Sequence, residues 1–255
     1  MTNAPLFDLL AFAVLPYVAL FTFLLVSIQR YRKSPFTYSS LSSQFLENGE
    51  HFWGLVSFHY GILSLFVGHL IGLLLPQQVL WWNSRPARLY VLELSALVFG
   101  LMTLIGLCSA VHRRIFTSRA RRVTSAADWV VLTLLVVEAA AGIYIAVFHP
   151  WGSSWFATSA TPYVLSIFKF NPNVSYLATL PWVVKLHIVN AWLVIGFFPF
   201  TRLVHALVVP FPYLWRKPEI ARWYGIRRMD PIWIQRSATT TTAAIRTARA
   251  SGAKR

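Results

Sequence analysis

The chain has 255 residues, of which 56% are hydrophobic and 12% charged, with a mean hydropathy of +0.56 and a formal net charge of +15. A soluble domain carries about 25% charged residues, so this deficit excludes an ordinary water-soluble fold and points to lipid as the main solvent. The positive charge sits in short segments between long apolar runs, a pattern that fits loop charge setting membrane topology and argues against nucleic-acid binding.

A membrane-crossing helix needs about 20 mainly apolar residues at 1.5 Å of rise each. Five segments qualify: residues 5–29, 53–76, 88–111, 125–148 and 180–208. The expected fold class is therefore an all-α integral membrane bundle of five transmembrane helices. The opening MTNAPLFDLLAFAVLPYVALF lacks a basic leader and runs too long for a cleaved signal, so it is expected to stay as the first span. The fifth segment is long and holds Pro199, which predicts a kink or a tilt. Residues 1–225 are expected to form the membrane domain. Residues 226–255, ending in the low-complexity SATTTTAAIRTARASGAKR, are expected to form a basic, partly disordered tail.

Basic residues are divided unequally between the two sets of connections. Arg30, Arg32 and Lys33, five arginines between Arg113 and Arg122, and the run from Arg202 to Arg255 place 19 of the 23 on one side. Arg85, Arg88, Lys169 and Lys185 fall on the other. The positive-inside rule then predicts a multi-pass protein of the cytoplasmic (inner) membrane, with the N-terminus outside and the C-terminus in the cytoplasm. The aromatic-rich loop 149–181 is expected to lie along the outer interface.

Seven histidines occur. His51, His112 and His149 fall at span ends and read as interfacial polar residues. His59 and His69 lie inside the second span, His187 and His205 inside the fifth. An ionisable side chain inside a span is costly without a partner, and neutral imidazole is a common axial ligand of haem iron. Depth sorts them. His69 lies seven residues before Pro76 and His187 about seven after the start of the fifth span, so each sits about 10 Å below the outer surface. They can share one iron, and His59 and His205, both toward the cytoplasm, can share a second. The register is imperfect: ten residues separate the first two histidines and eighteen the second two, so straight parallel helices would misalign the inner ligands by about 12 Å. The lone cysteine, Cys108, and the absence of a C-x-x-C-H motif exclude covalent attachment. Any haem is held without covalent bonds.

Gly61, Gly68 and Gly72 leave space beside the histidines of the second span, and equally suit close helix packing. Arg202, one turn before His205, suits a haem propionate or plain loop charge. Glu93, near the outer end of the third span, suits accepting a quinol proton or reaching the headgroup layer. Glu138, in the middle of the fourth span, needs a partner or a proton and has no evident role.

Several stretches resemble a known family. SSQFLENGE (42–50) with FHYGILSLFVGHLIGLLLP (58–76), HRRIFTSRARRVTSAADWVVL (112–132), LHIVNAW (186–192) and FPFTRLVHALVVPFPYL (198–214) are similar to segments of the gamma subunit of respiratory nitrate reductase. The likeness covers about residues 15–225, is weak in the 77–88 and 149–180 loops, and leaves the tail beyond about 230 without a counterpart.

The resemblance implies two b haems, the outer on His69 and His187 and the inner on His59 and His205. It implies quinol oxidation near the outer haem, with electrons delivered to an iron–sulfur (beta) subunit and a molybdenum catalytic (alpha) subunit that reduces nitrate. It also implies a quinol pocket mapping onto His69, Gly68, Gly72 and Arg88. Arg88 stands where the family has a lysine, whose donor geometry differs. Related di-haem cytochromes serve other quinone-linked reductases of the sulfite or heterodisulfide type. No residue pattern in the chain suggests a site for nitrate itself, so the chain is expected to act as the electron-transfer subunit.

Overall fold

The computed structural model describes residues 5–34, 54, 56–122 and 124–207. Five helices in it are long and apolar enough to cross a membrane: α1 (Leu6–Lys33), α2 (Ser57–Leu74), α3 (Pro86–Phe116), α4 (Ala126–Phe148) and α5 (Trp182–Phe200). Among the described residues no strand occurs. Only 17% to 28% of each helix's most hydrophobic stretch is buried, so most of the apolar surface faces outward, as lipid-facing helices require. The tail expected beyond residue 225 lies outside the described residues.

Prolines punctuate the chain. Leu75 leaves the helical region between α2 and a short helix, Pro76–Asn83, and Arg85 is extended just before Pro86 opens α3. Proline suits a first helical position because the N–H it lacks has no partner there anyway. In α1 the proline is internal. Pro16 cannot offer an N–H to the carbonyl of Phe12; the preceding turn, Leu10–Val14, widens to a π-helix, and the hydroxyl of Tyr163 donates to the Phe12 carbonyl at 2.8 Å. The start of α4 is a capping box: Ser125 Oγ accepts from the Asp128 N–H, and Asp128 Oδ2 accepts from the Ser125 N–H at 2.9 Å.

The closely packed neighbours are α2 with α3, α3 with α4, α4 with α5, and α5 with α1. Gly61 lets α2 approach α3, since a Cβ there would fall against Thr103 Oγ1 and the carbonyl of Phe99. The segment 149–181, expected along the interface, is partly helical and packs on the bundle. Helix Thr161–Phe168 buries Tyr163 and Ile167 completely against Phe12 and Ala11 of α1, and Tyr17 of α1 donates to the Ile167 carbonyl at 3.0 Å. A phenol on either side meets a carbonyl on the other, so the aromatic content serves this packing as well as the membrane surface.

The fifth segment differs most from expectation. Its length and Pro199 predict one helix over 180–208 with a kink or a tilt. The α-helix ends at Phe197, a 3-10 turn covers Phe198–Phe200, Thr201 is extended, and a second 3-10 turn runs from Arg202 to Leu207. Pro199 ends the hydrogen-bond ladder, and the Thr201 hydroxyl then caps the new turn by accepting from the Leu203 N–H at 3.1 Å. His205 is thus carried on a separate turn and not on the axis of α5.

Candidate functional site

The four intraspan histidines meet in two pairs. His69 and His187 face each other with ring centroids 6.4 Å apart, and His59 and His205 do the same at 6.4 Å. The pairing requires α2 and α5 to run in opposite directions. It also accounts for the register that straight helices would miss: the rise along α5 stops at Phe197, and the broken end brings His205 back to the depth of His59.

Backbone carbonyls fix the rings. His69 Nδ1 lies 2.8 Å from the Leu65 carbonyl and His205 Nδ1 lies 2.6 Å from the Arg202 carbonyl. A carbonyl only accepts, so each Nδ1 carries the proton and Nε2 keeps its lone pair. His187 Nδ1 lies 3.3 Å from Glu138 Oε1. The other carboxylate oxygen of Glu138 accepts from Asn190 Nδ2 at 2.6 Å, and the same amide donates to the Leu134 carbonyl at 2.9 Å. Glu138 therefore has the partners its position demands.

Donor set and spacing both suit b-type haem. Among the described residues no group of three or more His, Cys, Asp or Glu side chains is placed to hold a bare metal ion. An iron held by a porphyrin needs only two further donors, which each pair would supply. A metal–imidazole bond is about 2 Å long, which puts the centroids of two axial imidazoles roughly 6 Å apart. Gly68 borders open space, with no atom within 4 Å of the position a Cβ would take.

The remaining candidates fall in different surroundings. Gly72 is covered by Phe156, 2.8 Å from its would-be Cβ, and that ring also meets His69 edge-on at 5.4 Å. Of the three glycines, only Gly68 opens space; Gly61 and Gly72 serve packing. Arg88 is held in its own turn, donating from one nitrogen to the Trp81 carbonyl and Ser84 Oγ at 3.0 Å, with its guanidinium over the rings of Trp81 and Trp82. Glu93 accepts from the backbone N–H of Ser153 at 2.9 Å and from its hydroxyl at 2.6 Å, a clamp on the 149–181 segment. Arg202 places Nε 3.4 Å from Asp128 Oδ1.

His112 packs on Phe116 in the last turn of α3, and His149 caps α4 beside Tyr144. Both stand at helix ends, as expected; His51 lies outside the described residues. The sequence marks Arg30 only as loop charge and does not single out Asp128, Asn190 or Phe156. Only Asp128 carried a local signal, the S-x-x-D pattern of its capping box.

Charge follows the same axis. The Arg30 guanidinium bonds the carbonyls of Pro199 and Thr201, and Arg202 meets Asp128. The last turn of α1, the end of α5 and the start of α4 therefore gather at the His59–His205 end, with Arg113 and Arg114 in the last turn of α3 leading there. Arg85, Arg88, Lys169 and Lys185 belong to the opposite end.

Comparison with known proteins points to one family. Residues 8–224 match the family model described as nitrate reductase gamma subunit. The nitrate reductase gamma chain of Bacillus subtilis is 32% identical over 215 residues, covering 82% of this chain and 95% of that protein. The respiratory nitrate reductase 1 gamma chain of Escherichia coli is 32% identical over 219 residues, covering 83% and 95%. A nitrate reductase-like protein of Mycobacterium tuberculosis is 29% identical over 84% of this chain but only 33% of its own, longer length. With a match along nearly the whole described region and full-length relatives of one kind, the chain belongs to the nitrate reductase gamma subunit family.

Proposed function

We propose that this chain, a multi-pass membrane subunit of a respiratory nitrate reductase, is the quinol-oxidising cytochrome b of that complex. The observation that carries the reading is that α2, facing α5 and the turn that follows it, forms two histidine pairs of equal separation, one toward each end. When bound, two b haems supply one-electron chemistry at two depths, which is what joining a quinol on one side to an iron–sulfur subunit on the other demands.

In this reading His69 and His187 hold the outer haem, and His59 and His205 the inner one. The Nδ1–carbonyl contacts of His69 and His205 orient those two rings and leave their Nε2 for iron. His69 is exposed at the flank of the bundle, where a lipid-borne quinol arrives. Gly68 offers space beside it, while Phe156 over Gly72 forms a wall. Arg88, aligned with the family's lysine, supplies a donor from the adjoining turn. Arg202, one turn before His205, is the residue suited to an inner-haem propionate. The basic end faces the cytoplasm under the positive-inside rule, so quinol protons leave on the outer side and electrons exit toward the iron–sulfur (beta) and molybdenum (alpha) subunits.

The test is a redox-difference spectrum of the purified membrane protein with haem quantified per chain. Two non-covalent b haems, reducible by a quinol analogue, are expected. His69→Ala or His187→Ala removes the outer haem and quinol oxidation; His59→Ala or His205→Ala removes the inner haem. Four single variants that each kept two haems would end the assignment.

A further inference from the structure

The break after Phe197 gives α5 its second histidine in register, and it leaves carbonyls without helical partners, as every helix end does. Two side chains from other helices hold that break. The Arg30 guanidinium, from the last turn of α1, donates to the Pro199 carbonyl at 2.6 Å and the Thr201 carbonyl at 2.8 Å. Both bonds come from one nitrogen and run from the 3-10 turn to Thr201, where the backbone turns extended. A cation here also meets the negative end of the helix dipole. Asp128, buried in the first turn of α4, keeps one oxygen for its own cap and turns the other to Arg202 at 3.4 Å. Arg202 opens the turn that carries His205, and its carbonyl accepts from His205 Nδ1.

We infer that Arg30 is a positioning residue for the inner haem, fixing the broken end of α5 so that His205 stands opposite His59, with Asp128 holding the same turn from the other side. This rests on the inner pair being haem ligands. In this role Arg30 acts through the Pro199 and Thr201 carbonyls. A lysine carries the same charge but lacks the planar fork, so charge alone and directed bonding can be separated.

The experiment uses the purified full chain with haem. Wild type and His205→Ala first establish two haems and one haem per chain; without that difference the proposed function fails before Arg30 is at issue. Arg30→Ala is then expected to lower haem content from two toward about one per chain, with the outer-haem spectrum unchanged, because loss of a supporting shell weakens metal-site affinity roughly 10–100-fold. Arg30→Lys is expected to retain both haems while altering the low-spin electron paramagnetic resonance signal of the inner one. Asp128→Asn, which keeps a capping acceptor but loses the charge, is expected to shift the same signal. Two haems with an unaltered inner signal in Arg30→Ala would overturn the inference. So would equal loss of both haems in Arg30→Ala and Arg30→Lys, which would make Arg30 a general folding residue.

Discussion

Glu138 Oε1 lies 3.3 Å from His187 Nδ1, a contact between a carboxylate of α4 and a histidine of α5 inside two membrane spans. The distance is short, but the angle falls outside hydrogen-bond range, so the pair is a close electrostatic contact with Asn190 steadying the carboxylate. His69, across from it, rests instead on a neutral carbonyl. The two ligands of the proposed outer haem thus have unlike supports.

If Glu138 orients His187, then Glu138→Ala loosens the outer haem and leaves the inner one alone. Second-shell losses of this kind cost about 10–100-fold in metal affinity. The rate of haem transfer to an apo-globin acceptor, followed by the absorption of each haem, measures this. Glu138→Gln, which still bonds Asn190, should fall between the two. Wild-type transfer rates in Glu138→Ala would leave the carboxylate without a part in ligand support.

Glu93 makes a different prediction from the one its sequence position invites. Its Oε1 is taken by the N–H and hydroxyl of Ser153, and Asn83 bonds the Ser153 and Ser154 hydroxyls beside it. Glu93→Ala should therefore loosen the 149–160 segment first. Hydrogen bonds to a charged group contribute about 1.5–3 kcal/mol each, discounted here because Glu93 is only partly buried. Hydrogen exchange resolved by segment should rise over Trp151–Phe156 and stay unchanged around His59. Lost quinol oxidation with wild-type exchange would instead return Glu93 to the quinol's protons.

The five helices were legible because lipid imposes a length and a composition that few alternatives satisfy, and the spans came within a few residues at most ends. The histidine pairing was legible from depth, since rise per residue converts sequence position into height. The break in α5 was legible only as Pro199. Its consequence depended on Thr201, Arg30 and Asp128, which come from three helices and share no local pattern. Glu138 was visible as an anomaly but not as a partner, because its contacts, His187 and Asn190, lie about fifty residues away and only folding brings them near. In the 149–181 segment the packing was not legible, because an aromatic composition suits a membrane interface and a packed core alike; Tyr163 is buried where it has the Phe12 carbonyl to bond.

That bond can be tested directly. In Tyr163→Phe the ring still fills its place, but the Phe12 carbonyl, already deprived of a partner by Pro16, loses the hydroxyl. Interhelical hydrogen bonds in membranes average about 0.6 kcal/mol, whereas an orphaned buried group costs about 1–3 kcal/mol. The residue is fully buried, so the larger figure governs. A lowered unfolding midpoint in detergent, with haem content unchanged at equal temperature, is the expected result. A wild-type midpoint would mean that the π-turn alone accommodates Pro16.

The glycines of α2 separate packing from cofactor space without any catalytic assay. A methyl at Gly61 would collide with Thr103 and the Phe99 backbone, whereas one at Gly68 would meet no protein atom within 4 Å. Gly61→Ala should therefore destabilise the protein whether or not haem is bound, by about 1–3 kcal/mol for overpacking. Gly68→Ala should leave the haem-free chain as stable as wild type, or slightly more stable, since alanine is the better helix former. Any penalty at Gly68 must then come from whatever occupies the space beside His69. Comparing unfolding midpoints with and without haem isolates it: a loss at Gly68 confined to the haem-loaded protein places the cofactor against that face of α2, and equal midpoints in both states would put it elsewhere.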